Sequence, residues 1–344
     1  MRVLIPGGAG FIGSHLADAL LERGHEVVAV DNLALGREEN IAHLRDQPRF
    51  RFQRLELLDA EQLGRLFAST RFDAVFHLAA NSDIARSHRD PDVDRDNTFT
   101  TTYALLQAMK DHEVRQLIFA STSAIYGELS GALSEDRGPL QPVSHYGAGK
   151  LASEAFISSF AANYGLRAWI VRFPNVVGGR ATHGVLHDFI AKLRRRPDVL
   201  EVLGDGRQNK PYLHVRDLVA AILLIWERAG QRVNVFNVGA ESRTTVTRIA
   251  EMVVEEMGLT ATIHYSGGAR GWVGDVPEFH YHLNRIHALG WRARCSSDEA
   301  VRLAIREILE SEHEGGCHHR GQGNALGIDG RAEADGAHRR ADVA

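Results

Sequence analysis

The sequence predicts an α/β protein: a doubly wound parallel sheet with a smaller mixed α/β lobe beside it. Three observations carry this expectation. Short β-branched runs alternate with longer amphipathic stretches from Val3 to Val171. Each such helix must cross back over the sheet, which leaves neighbouring strands parallel and both faces covered. A glycine cluster follows the first run directly, and after Arg172 the rhythm loosens, with turns at Gly178-Gly179, Gly204-Asp205-Gly206 and Gly267-Gly268 between short elements.

Taken in order, strands are expected near Arg2 to Ile5, Glu26 to Val30, Arg51 to Arg54, Ala74 to His77, Gln116 to Ala120 and Ala168 to Arg172. Helices are expected over Gly10 to Arg23, Ala60 to Ser69, Val93 to Lys110 and His145 to Tyr164, because apolar residues recur there at three- and four-residue spacing. The sheet domain takes residues 1–172, with about 212–240 returning to it; the lobe takes about 173–211 and 241–312. Beyond Glu312 the chain is Gly, His, Arg, Asp and Ala with almost no large apolar side chains. Such a composition cannot offset the entropy of ordering, so a disordered tail is expected over 313–344. Its Cys317-His318-His319 cluster stands alone, and no metal is expected.

The bulk numbers narrow the function classes. A chain of 344 residues, 44% apolar and 24% charged, can bury a core around a cofactor, and a net charge of −4 gives no electrostatic reason to expect nucleic acid. The two cysteines, Cys295 and Cys317, are too few for a disulfide framework. No membrane span or signal segment is read, and a cytoplasmic protein is expected.

Gly7-Gly8-Ala9-Gly10-Phe11-Ile12-Gly13 closes the first strand and opens the first helix. In a Rossmann dinucleotide fold, Gly7 permits the tight turn, Gly10 lets the backbone approach a pyrophosphate and Gly13 lets helix and strand pack closely. The helix N-terminus offers N–H donors and a positive dipole end to the phosphates. Asp31 ends the second strand about 20 residues on, where its carboxylate accepts from a ribose diol and repels a 2′-phosphate; NAD is favoured over NADP. Arg37 downstream leaves dual cofactor use open.

Tyr146 and Lys150 are four residues apart, one helical turn on one face. Free tyrosine ionises near pH 10, and a neighbouring ammonium with a cationic nicotinamide is expected to lower that value. A fall of about three units takes roughly 4 kcal/mol and makes a base usable near neutral pH. Ser121-Thr122-Ser123 places three hydroxyls at the carboxyl edge of the fifth strand, where open α/β sheets bind ligands, and one of them can bridge a substrate oxygen and Tyr146.

With these residues in place the chain resembles the extended short-chain dehydrogenase/reductase family, and within it the nucleotide-sugar epimerases and dehydratases. The resemblance spans about residues 2–310. It rests on GGAGFIG (7–13), VDN (30–32), HLAA (77–80), Asn97, STSAIYG (121–127), YGAGK (146–150), RFPNVVGGR (172–180), GDGRQNKPYLHVRDL (204–218), FNVG (236–239) and RGWVGDVP (270–277). It implies an NAD set of Gly7, Gly10, Phe11, Ile12, Gly13, Asp31, Asn32, Glu56, Leu57, Leu78, Ala79, Ala80, Asn97, Tyr146 and Lys150. It implies Tyr146 as base, Lys150 as its partner and Thr122 as the hydroxyl on the sugar. Ser82, Ser123, Phe173, Asn175, Lys210, Tyr212 and Arg270 are the implied substrate contacts, with Lys210 and Arg270 on the diphosphate and His183 nearby. In relatives, the helices at Val93 to Lys110 and His145 to Tyr164 pair across a homodimer.

Two departures narrow the reaction. The 4,6-dehydratases carry an Asp-Glu pair directly after the catalytic Thr, whereas Ser123 and Ala124 stand here. Nucleotide-sugar decarboxylases usually place Glu at the position of Ala124. The resemblance therefore implies a 4-epimerase, with a reductase or dehydrogenase releasing reduced cofactor, a dehydratase and a non-catalytic NAD-binding regulator as rivals. The stretch Arg270-Gly271-Trp272-Val273-Gly274-Asp275 is longer than the family's compact phosphate motif.

Overall fold

The computed structural model describes residues 1–318 except 83–86, 88, 269 and 272–275, and for 312–318 it describes the helix without its side chains. Seven strands form one sheet: β1 (Arg2–Pro6), β2 (Glu26–Asp31), β3 (Phe50–Arg54), β4 (Ala74–His77), β5 (Gln116–Thr122), β6 (Arg167–Phe173) and β7 (Val233–Asn237). Their order is β7-β6-β5-β4-β1-β2-β3, and every pairing is parallel. The order reverses between β1 and β4, which opens a crevice at the carboxyl ends of those two strands.

Strand periodicity decides which side chains go to which face. Val3 and Ile5 of β1 join one core, with Leu16 and Leu20 of α1 (Phe11–Glu22). Leu4 joins the other, with Leu105, Leu106 and Met109. The first core is closed by Leu218 and Ile222 of a helix over Val215–Arg228; the second is closed by Leu63 and Leu66 of α2 (Ala60–Ser69), by α3 (Thr101–Asp111), and by Ile157 and Phe160 of α4 (His145–Tyr164). Ser144 caps α4 by accepting from Gly147 N at 3.1 Å, and Gly165, at φ +69°, ends it in the left-handed region.

A third core lies in the lobe. It joins Leu186, Phe189, Ile190 and Leu193 of α5 (Val185–Arg195) to residues of α7 (Val246–Glu256) and α9 (Ser297–His318), with α6 being Val215–Arg228 and α8 being Asn284–Ala288.

Two expectations are corrected. The fifth strand runs on to Thr122, so Ser121 and Thr122 are paired strand residues opposite Arg172 and Phe173 of β6. The single helix expected over Val93 to Lys110 is instead a short turn, a π-helical stretch at Arg95–Thr100 and then α3. The threonine run explains this, because Thr100 Oγ1 donates to Arg95 O at 2.9 Å and Thr102 Oγ1 to Thr98 O at 2.7 Å, competing with the regular ladder. The last helix, α9, is described as far as His318. Residues 319–344, and the side chains of Cys317 and His318, lie outside what is described. Among the described residues no helix is long and apolar enough to cross a membrane.

Candidate active site

The glycine loop is shaped by close approach. A Cβ on Gly7, at φ +82°, would lie 2.6 Å from Ala79 N, and one on Gly13 would lie 2.1 Å from Gly7 O. Both positions therefore admit only glycine, and Gly13 sets the contact between α1 and the loop. Gly7 N donates to Val30 O at 2.8 Å, which draws the loop over the end of β2. No side chain caps α1 at Gly10, so its first N–H groups are left for a ligand that supplies acceptors.

Asp31 is 9% exposed, not the solvent-facing residue a strand end can be. Its Oδ2 accepts from Ala9 N at 3.1 Å and its Oδ1 from Leu33 N at 2.9 Å. Burial raises its pKa, while the hydrogen bonds from Leu33 and Ala9 act in the opposite direction. Asn32 Nδ2 donates to Glu56 Oε2 at 2.8 Å, so two of the residues expected around the adenosine meet here. Leu57 is buried, and Leu78 lies beside Gly7. Phe11, Ile12 and Ala80 are partly buried around this loop and the end of β4. Glycine cradle, uncapped helix end and terminal carboxylate together fit a dinucleotide.

At the carboxyl end of β5, Tyr146, Lys150 and Thr122 come together. The Thr122 hydroxyl hydrogen-bonds the Tyr146 phenol and also accepts from Ala124 N at 3.1 Å. Lys150 is 2% exposed, donates from Nζ to Ala120 O at 2.7 Å and sits 4.7 Å from the Phe119 ring centroid. Its Nζ is 5.9 Å from the Tyr146 ring centroid.

The charge balance differs from the sequence expectation. Burial pushes the Tyr146 phenol up to about 12, against the Thr122 hydrogen bond and with the help of Asp94. Burial likewise pulls Lys150 down to about 7, opposed by Glu154 and Asp94. Lys150 by itself does not bring the phenol down, because its ammonium is turned toward a carbonyl and desolvation acts on both groups; the lowering is expected from the ammonium together with a cationic nicotinamide.

Other expected residues fall into three groups. Phe173 pairs with Thr122 across β5 and β6, and Ser123 follows Thr122 in a short 3-10 turn. Asn175 lies opposite Tyr212 in a parallel pair, Tyr212 is buried, and Lys210, 8% exposed, sits in an antiparallel pair with Thr244. Ser82 and His183 are exposed, Asn97 lies on the π-helical stretch, and Arg270 pairs with Glu128 Oε1 at 2.6 Å. The residues of the long motif from Trp272 to Asp275 lie outside the described residues.

Sequence reasoning missed the buried polar groups behind the pair. Glu154, one turn after Lys150, binds Arg172 through Oε1 at 3.0 Å and Oε2 at 2.6 Å. Arg172 Nη1 donates to the Tyr126 phenol at 2.9 Å, and Tyr126 donates on to Asn237 Oδ1 at 2.8 Å. Glu154 could have been found from its four-residue spacing to Lys150. Its partners come from other strands, which no local spacing announces.

The sheet order, the glycine cradle and the strand-end carboxylate define a dinucleotide-binding enzyme of the Rossmann class. The chain belongs to the NAD dependent epimerase/dehydratase family, whose sequence profile matches residues 3–239. It is 32% identical to a UDP-glucose 4-epimerase of Mycolicibacterium smegmatis over 324 residues, covering 89% of this chain and 97% of that one. A crystal structure of a UDP-glucose 4-epimerase of Thermotoga maritima with UDP-glucose is 33% identical with a TM-score of 0.82, covering 91% of this chain and 100% of that one. A dTDP-glucose 4,6-dehydratase of Streptomyces venezuelae with NAD is 27% identical with a TM-score of 0.83, covering 91% and 98% respectively. The protein is an NAD-dependent enzyme of a family acting on nucleotide sugars.

Proposed function

We propose that the chain is a nucleotide-sugar 4-epimerase in which Tyr146 is the acid/base, Lys150 its partner and Thr122 the hydroxyl that holds the sugar C4 oxygen. The observation that carries this reading is the set of three side chains at one sheet edge, followed by Ser123 and Ala124 with no carboxyl group. A dehydratase needs an acid and a base at that point, and a 4-epimerase needs only the hydroxyl and the phenol. Bound NAD⁺ supplies a hydride acceptor and, once reduced, the donor that returns the hydride.

The residues of the chain do the rest. Tyr146 takes the proton of the C4 hydroxyl as the alcohol becomes a 4-keto group, and returns it after the sugar has turned over. Thr122 keeps that oxygen in line. Gly7, Gly10, Phe11, Ile12, Gly13, Asp31, Asn32, Glu56, Leu57, Leu78, Ala79, Ala80 and Asn97 hold the cofactor, which never leaves because net redox is zero. Ser82, Ser123, Phe173, Asn175, Lys210, Tyr212 and Arg270 hold the substrate, the diphosphate being anchored while the hexose moves. A sugar diphosphate carries the charge to draw Arg270 away from Glu128. Residues 1–172 with 212–240 form the cofactor domain in this reading, and the lobe closes over the nucleotide.

Incubation of the purified protein with UDP-, GDP-, ADP-, CDP- and dTDP-sugars tests it. Formation of an isomer with no stoichiometric NADH is the expected result. Accumulating NADH, or a product that has lost water, would overturn the assignment.

The same reading includes a homodimer. Tyr103 of α3, with Phe156 and Tyr164 of α4, are 37%, 39% and 44% exposed, and the Phe156 and Phe99 rings lie 5.2 Å apart between centroids, tilted by 59°. A strip of aromatics on two adjacent helices suits a second copy of the same face.

A further inference from the structure

We propose that Asp94 is a positioning residue of this site, the buried counter-charge that holds the Lys150 side chain in its ammonium form. The inference rests on the catalytic reading of Tyr146 and Lys150 given above and adds a residue to it.

Asp94 is 1% exposed and lies in the turn that precedes the π-helical stretch. Its Oδ1 accepts from Asn81 Nδ2 at 3.1 Å and from Thr98 Oγ1 at 3.3 Å. Its Oδ2 is buried with no hydrogen-bond partner among the described residues. The turn packs on the glycine face of α4, where a Cβ on Gly149, the residue before Lys150, would lie 3.3 Å from Asp94 O. A carboxylate so deep in the protein is costly unless a cation compensates it, and the hydrogen bonds to Asp94 among the described residues come from the neutral Asn81 and Thr98.

Lys150 presents the mirror image of this situation. Its ammonium is equally buried and its hydrogen-bond partner is a neutral carbonyl. Among the described residues the charged and titratable groups around it are few. On α4 are Tyr146 and Glu154; on β4 is His77, which burial and Lys150 push down to about 3, so that it is uncharged at neutral pH. Glu154 acts on Lys150 more strongly than Asp94, but Arg172 of β6 already matches its charge through two hydrogen bonds. Among the described residues Asp94 is the carboxylate near Lys150 with no cationic hydrogen-bond partner, and its field raises the pKa of both Lys150 and Tyr146, favouring the ammonium while opposing the phenolate. Asp94 and Lys150 are both buried and of opposite charge, and each compensates the other. Without Asp94, burial would leave Lys150 neutral over more of the pH range, and a neutral amine cannot stabilise a phenolate.

The test reads Lys150 directly. Protein carrying ¹³C-labelled lysine is titrated by NMR without cofactor or sugar, with Lys150→Met identifying the resonance. In wild type the Lys150 signal should titrate near pH 7. In Asp94→Asn the midpoint should fall by about one pH unit or more. Asp94→Ser makes the same comparison should the amide variant fail to fold. Thr98→Val keeps the carboxylate while removing one clamp, and should leave the midpoint at the wild-type value. An unchanged midpoint in both Asp94 variants, or an equal fall in Thr98→Val, would overturn the proposal. Because no turnover is measured, the titration fails or succeeds separately from the epimerase assay.

Discussion

A phenol that burial drives up to about 12 is an unusual candidate for the base proposed above, and the conflict is informative at the residue scale. Burial sets the sign, and the Thr122 hydrogen bond does not reverse it. A positive nicotinamide ring would add to the Lys150 ammonium as a source of stabilisation, so ionisation should be linked to the oxidised cofactor. Ultraviolet difference titration with Tyr146→Phe as blank should show tyrosinate from Tyr146 at lower pH with NAD⁺ than without, and no such fall with NADH. Equal behaviour with both cofactors would count against Tyr146 as the base. Tyr146→Phe should also lower turnover by about 100-fold or more, while cofactor content is retained. The buried pair of Glu154 and Arg172 is of a different kind: Glu154→Ala leaves the guanidinium uncompensated and should cost about 3–5 kcal/mol in urea unfolding.

At the scale of elements, the loop between β1 and α1 has no spare volume. A methyl group on Gly13 would collide with Gly7 O at 2.1 Å, so Gly13→Ala must separate α1 from the loop. The expected result is weaker NAD retention through gel filtration together with a lower thermal midpoint; unchanged retention would show that the loop can open. The aromatic strip of α3 and α4 makes a second prediction. Phe156→Glu should give a monomer by light scattering where the wild type gives a dimer, with little change in the circular dichroism spectrum. Secondary structure was largely legible in the sequence here, since α2 and α4 begin and end where apolar spacing places them. The stretch before α3 was not. Its threonines read as ordinary helix in one dimension, and their hydroxyls redirect the backbone only once Thr98 is packed on Gly149.

On the scale of the whole molecule, Glu307 of α9 joins parts far apart in the chain. Its Oε2 accepts from Gly179 N at 2.7 Å and meets His214 Nε2 at 3.2 Å, while Oε1 pairs with Arg216 at 3.0 Å. Burial raises its pKa, but the bonds from His214 and Gly179 outweigh it and hold the carboxyl down to about 2, below its ordinary 4.5. A depressed folded-state value means stability that is present above pH 4.5 and is lost as pH falls toward 2. The contribution is about 3 kcal/mol at most. Glu307→Gln should be less stable than wild type at neutral pH, with the difference shrinking across that acid window. A constant difference would assign the loss to packing instead.

The sequence by itself determined the parallel α/β sheet, the glycine loop, the strand-end carboxylate and the one-turn spacing of Tyr146 and Lys150, because each depends on neighbours within a few residues. Tertiary structure alone decided how the site is charged. It turned Lys150 toward Ala120, matched Glu154 of α4 with Arg172 of β6, and left Asp94 buried against α4. Burial and charge compensation are properties of space shared by distant segments, and desolvation, the largest influence on both Tyr146 and Lys150, has no counterpart in the order of residues along the chain.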